Sequence, residues 1–116
     1  MIYRNIECAN LEYDNLTSII KLDGNNLKNR IDLFRDISSK LNFPNFFGNN
    51  WDALDECLCD LEWIDSKKIL ILFENFSRIL SDESYEQKDI LLDCIKDSNE
   101  FWERNRSKIV NFYICD

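Results

Sequence analysis

The feature that most constrains this chain is the run Lys68–Phe73, KILILF. Ile69 to Phe73 are consecutively apolar, so a strand made from them has no polar face and needs cover on both sides of its sheet. Parallel sheets provide that cover, because the crossover connections between their strands lay helices on the faces. Two further runs rich in β-branched and aromatic residues, Ser18–Leu22 (SIIKL) and Ile109–Cys115 (IVNFYIC), supply neighbouring strands. Helical patterns separate all three. The expectation is an α/β fold, a three-stranded parallel sheet with packed helices, in one domain of 116 residues.

The first helix is predicted from about Asn29 to Leu41, with Ile31, Phe34, Ile37 and Leu41 as its apolar stripe. Asn29 and Asp32 provide a capped start, and Pro44 lies just past the end. A second helix starts at Asn49 or Asn50, after Gly48, and runs to about Leu61. A third helical region covers Asp82 to about Arg104, with its weak point at Ser98–Asn99 and an apolar stripe of Ile90, Leu91, Cys94 and Ile95. Trp51 and Trp102 read as core, and Trp63 as either core or the rim of a contact face. Residues 18–116 form the domain, and residues 1–17 form an N-terminal extension, read as an edge strand or a docked arm.

Charge narrows the function. Twenty-two acids against fourteen bases leave a net charge of −8, which repels nucleic acid and anionic membrane and attracts basic partners. No histidine occurs, which removes the usual general base near neutral pH and the imidazole metal ligands. The longest apolar run is strand-sized and the N-terminus has no apolar signal core, so a cytoplasmic protein is expected. Cys8, Cys57, Cys59, Cys94 and Cys115 are odd in number and contain no C-x-x-C pair; free buried thiols in a reducing compartment are the expectation.

The most informative stretch is PNFFGNNWDALDECLCDLEW, Pro44 to Trp63. From Leu41 to Ser66 there is no lysine or arginine, yet Asp52, Asp55, Glu56, Asp60, Glu62 and Asp65 all fall inside. At 100° per residue, Trp51, Leu54, Leu58 and Leu61 line one side and must face the core. Asp52, Asp55, Glu56 and Cys59 fall on another side, with Asp60 at its margin. Such a face can be ordinary solvated surface, and Asp52 also complements the helix dipole. Asp55 and Glu56 fit that account less well, because like charges one turn apart repel and a face built for stability intersperses lysine or arginine. A binding face for a basic partner and a carboxylate cation site are the two other readings.

PNFFGNNWDALDECL resembles the signature region of the barstar family of ribonuclease inhibitors, where an aromatic pair and a Gly-x-Asn turn lead into an Asp-Ala-Leu helix with an acid one turn later. The order of strands and helices around it, from about Ser18 to Asp116, fits the same family. The resemblance implies a three-stranded parallel sheet and inhibition of a barnase-like guanyl-preferring ribonuclease by direct occlusion. It further implies that Asp52 faces the enzyme and that Glu56 takes the position of the family's central aspartate in the enzyme's phosphate site. Phe46, Gly48 and Asn50 match contact positions of the approach loop, Cys59 and Asp60 the far end of the interface, and Asp97 a peripheral acid on the later helix. Three departures fall on the contact face. Asp55 replaces the family's interface tryptophan, Glu56 is longer than aspartate, and Phe46 lacks a tyrosine's hydroxyl. The scaffold residues Gly48, Asn50, Ala53 and Leu54 are kept, which implies the same fold with a retuned partner.

The resulting expectation is an immunity protein, not an enzyme. It would bind a basic ribonuclease toxin one to one, with no cofactor, no metal, no nucleic acid and no membrane, and would be monomeric when free. Its alternative is immunity to another toxin, such as a DNase. A carboxylate-dependent metal enzyme is the remaining rival, with Glu74 as an isolated candidate acid; the sequence has no Gly-rich phosphate loop and no H-E-x-x-H.

Overall fold

The computed structural model describes residues 1–5, 16–45 and 48–116. Four strands, β1 (Ile2–Arg4), β2 (Thr17–Asp23), β3 (Lys68–Glu74) and β4 (Ile109–Ile114), form one sheet in the order β1-β4-β3-β2, with every pair parallel. The KILILF run is interior, between β2 and β4, with Ile71 opposite Ile20 and Phe112. Ile69, Ile71 and Phe73 enter the main core beneath the helices, and Leu70 and Leu72, on the other face, are buried too. Such a strand can be stable only where neither face meets water, as its composition requires.

The sheet has four strands rather than three, and the fourth comes from the N-terminal extension, which the sequence leaves open as an edge strand or a docked arm. Ile2–Arg4 pairs alongside Phe112–Ile114, and Tyr3 stacks on Tyr113 with ring centroids 4.6 Å apart. Asn5 secures the end of this strand. Its backbone N–H donates to Ile114 O (2.9 Å), and its side chain exchanges hydrogen bonds with Asp116 at 2.9 and 3.1 Å. The extra strand covers the β4 edge, whose backbone groups would otherwise lie unpaired.

Three helices follow the predicted order. Helix α1 (Arg30–Lys40) is capped by Asn29, whose Oδ1 accepts from the Asp32 N–H at 2.9 Å. Leu33, Phe34, Ile37 and Leu41 are buried, but Ile31 is 68% exposed, which corrects the predicted stripe. The stripe centres on Leu33, Phe34, Ile37 and Leu41, and at about 100° per residue Ile31 lies roughly a quarter turn away from it. Helix α2 (Trp51–Leu58) ends three residues before the predicted Leu61. Leu61 stays in the core but adopts a left-handed conformation, φ 49°, which turns the chain toward β3. Helix α3 (Tyr85–Arg104) is continuous through Ser98–Asn99, the expected weak point. Ser98 is buried against α2 and its hydroxyl donates to Leu58 O (2.8 Å), so the small side chain serves close packing.

One glycine is required by close approach. A Cβ on Gly24 would lie 2.1 Å from Asn75 O, at the turn that follows β2. Trp63 donates its indole N–H to Leu41 O (2.9 Å) and packs edge-on against Phe43, which ties it to the end of α1. Cys57, Cys59 and Cys94 are free thiols. Cys115 is disulfide-bonded, which corrects the expectation of free thiols throughout and removes cysteine usage as support for a reducing compartment. Cys8 lies outside the described residues. Among the described residues, no helix is long and apolar enough to cross a membrane.

Candidate functional site

The acidic stretch becomes a ridge because α2 is held from behind by α3. At its start, Asn50 Oδ1 accepts from the Ala53 N–H (2.8 Å), and Trp51 donates its indole N–H to Gln87 Oε1 (2.8 Å). At its end, Leu58 O accepts from both the Ser98 hydroxyl and the Trp102 indole N–H, each at 2.8 Å. Leu54, Cys57 and Leu58 point into the core. With both ends pinned and one side buried, the opposite side projects from a fixed backbone.

On that side Asp52 and Glu56 are exposed, one turn apart. Asp60 is exposed just beyond the helix, Gly48 and Asn50 are exposed before it, and Asp97 is exposed on α3 beside it. Phe46 lies outside the described residues. The ion pairs found among the described residues are Arg30–Glu83, Arg35–Asp32 and Lys40–Asp36, and none of them involves an acid of this ridge. Asp52, Glu56, Asp60 and Asp97 are thus exposed with no ion pair among the described residues.

Asp55 differs from its neighbours. It is half-buried where α2 meets α3, with Asp97 of α3 among the carboxylates that bear on it. Its Oδ1 is buried, and no donor among the described residues reaches it. Burial, then the Asp97 contact, then the charges of Asp97, Asp52 and Glu56 push the Asp55 carboxyl up to about 6. The same setting acts on the thiols behind it. Cys59 is pushed up to about 11 and Cys94 to about 12, first by burial and then by Asp55 and Asp97. Neither thiol is a nucleophile near neutral pH.

Two features escaped the sequence reading. The Asp55–Asp97 contact joins residues 42 positions apart in the chain, so no local pattern announces it. A groove of about 580 Å³ opens between α1 and the start of α2, with Ile31, Phe34 and Trp51 among its lining and Arg30 and Arg35 at its border. Exposed Ile31, out of place for a core stripe, belongs to this groove. As for metals, no group of three or more His, Cys, Asp or Glu side chains suited to holding an ion occurs among the described residues. Glu74 is exposed at the end of β3.

Residues 17–114 match the family model for Barstar (barnase inhibitor), from the first residue of β2 to the last of β4. The chain belongs to the barstar family. A similar protein is "Putative ribonuclease inhibitor YrdF" of Bacillus subtilis (strain 168), 36% identical over 83 residues, which are 70% of this chain and 85% of that protein. Relative to the barstar-family match, β1 is an addition, since Ile2–Arg4 precedes its first matched residue. The acidic ridge lies well inside it.

Proposed function

We propose that this chain inhibits a basic ribonuclease by seating the exposed face of α2 in the enzyme's RNA-binding cleft, one inhibitor to one enzyme. The observation that carries the reading is the ridge itself: Asp52 and Glu56 exposed with no ion pair among the described residues, on a helix pinned at both ends. A ribonuclease cleft gathers arginine and lysine to grip consecutive phosphates. Rigid carboxylates at helical spacing offer comparable charge with no bond to cleave, and arginine can fork onto each in two parallel hydrogen bonds. Membership of the barstar family and the name of the Bacillus relative support the ribonuclease as target.

In this reading Glu56 is the central contact, Asp52 flanks it, and Gly48, Asn50, Cys59, Asp60 and Asp97 border the footprint. The net charge of −8 speeds encounter with a cationic enzyme by long-range attraction. Asp55, where relatives carry an interface tryptophan, adapts the face to a toxin other than barnase. Residues 18–116 act as the inhibitory domain, and the free protein is a cytoplasmic monomer.

The test is co-expression with the product of the neighbouring reading frame, pull-down, and degradation assays on RNA and DNA. Protection of RNA by the wild-type chain, lost in Glu56→Ala, supports the proposal. Protection of DNA alone would transfer the function to DNase immunity, and protection of neither would refute it.

A further inference from the structure

Resting on the reading of the ridge as a docking face, we propose that the groove at its far end is a second contact for the same enzyme, and that it takes an acidic side chain. The groove measures about 610 Å³ and runs from Cys59 and Asp97, already at the border of the ridge, to Phe101, Arg104 and Arg106. Charge therefore changes sign along one continuous surface, with Asp52, Glu56 and Asp60 exposed at one end and Arg104 and Arg106 at the other. Neither arginine forms an ion pair among the described residues, although Asp97 and Glu100 line the same groove. Arg104, in the last turn of α3, also complements the helix dipole; Arg106 lies past the helix end and has no such role. The guanidinium donors of both stay available to a partner.

The groove is tied to the same frame as the ridge. Its aromatic wall, half-buried Phe101, packs edge-on against Trp102 with ring centroids 4.8 Å apart, and Trp102 is the residue that donates to Leu58 O at the end of α2. One anchor thus sets the spacing between this end of α3 and the acids of α2. The segment carrying Arg106 is held on both sides: the Asn105 N–H donates to Phe101 O (2.8 Å), and the Lys108 ammonium donates to Ser66 O (2.9 Å). With the backbone fixed at both arginines, less ordering is needed on binding. A partner presenting only cations would meet two like charges here, which interfaces avoid. A carboxylate suits the arginines instead, because it accepts from a guanidinium in two parallel hydrogen bonds. Asp97 and Glu100 disfavour a polyanion such as RNA in the same groove, and fit a single acidic side chain of a protein already seated on the ridge. The partner that fits is a ribonuclease with a cationic cleft and an acidic residue at its rim. The reversal of sign then fixes which end of α2 enters which end of the cleft.

Binding kinetics test this on the full chain, against the ribonuclease that it captures on co-expression. Arg104→Glu with Arg106→Glu should dissociate at least about tenfold faster than wild type, and Arg104→Gln with Arg106→Gln should fall between the two. The sign is diagnostic: if the ridge alone docks, a more acidic chain approaches a cationic enzyme faster and binds at least as tightly. Both arginines are exposed and form no ion pair among the described residues, so the variants should fold, which circular dichroism checks. Dissociation unchanged or slowed in the Glu pair overturns the groove contact and leaves the ridge standing, since Asp52→Lys with Glu56→Lys reads the ridge separately. Capture of a fluorescein-labelled oligouridylate by the free wild-type chain, lost in the Glu pair, would overturn it too, by making the groove an RNA site. A wild-type chain that captures no ribonuclease overturns ridge and groove together.

Discussion

Replacing Asp55 with asparagine should make the free protein more stable above pH 6, and the gain should vanish toward pH 4. Asp55 has its carboxyl raised from 3.8 to about 6, so the folded state holds a proton more tightly than the unfolded chain does. A raised acid contributes no penalty below the unfolded value, where both states are protonated. The penalty grows from pH 4 to pH 6 and is complete above the folded value. At face value an upward move of this size costs about 3 kcal/mol at neutral pH. Most of the Asp55 side chain remains near solvent, and screening reduces the expected cost to about 1 kcal/mol. Asparagine keeps the shape and supplies Asp97 with a donor, without the charge. Thermal melts should then place Asp55→Asn about 4 °C above wild type at pH 7.5 and level with it at pH 4. A gap that is equal at the two pH values, or a less stable variant at pH 7.5, would show that the two helices do not press these carboxyls together.

Other parts of the scaffold yield further expectations. Ser98→Ala removes one of two donors to Leu58 O and should cost about 1 kcal/mol in denaturant unfolding, with α2 amides exchanging faster than those of β3. Gly24→Ala drives a methyl group to within 2.1 Å of Asn75 O and should cost more than about 2 kcal/mol, seen as a lowered melting temperature. Lys108→Met leaves Ile64 O and Ser66 O without the ammonium that both accept from, and should cost about 1–3 kcal/mol, readable in the same melts.

The central sheet was legible because its physics is local to the strand: a run with no polar face can only be an interior strand, and KILILF is one. Helix starts were legible for the same reason, since Asn29 and Asn50 cap through residues three positions ahead. Ends were not. The exit from α2 depends on Leu61 adopting a left-handed conformation, and no glycine signals it. Ser98 looked like a break because a serine inside a helix lowers propensity, whereas its hydroxyl has a partner on another helix. The fourth strand was only half legible, because Ile2–Arg4 is too short to show a period. At the candidate site, the exposure of Asp52 and Glu56 followed from helical spacing alone. The setting of Asp55 did not, because it depends on which residue of α3 lies opposite.

The central claim is that charge on one face of α2 does the inhibiting, and the double reversal Asp52→Lys with Glu56→Lys tests it most directly. The inhibition constant of this variant against the ribonuclease that the wild-type chain blocks should rise by at least about a thousandfold, since two central contacts worth about 2 kcal/mol each become repulsive. Circular dichroism should stay unchanged, because both side chains are exposed and neither forms an ion pair among the described residues. A folded double variant that inhibits as well as wild type would contradict the account and leave the ridge as ordinary surface.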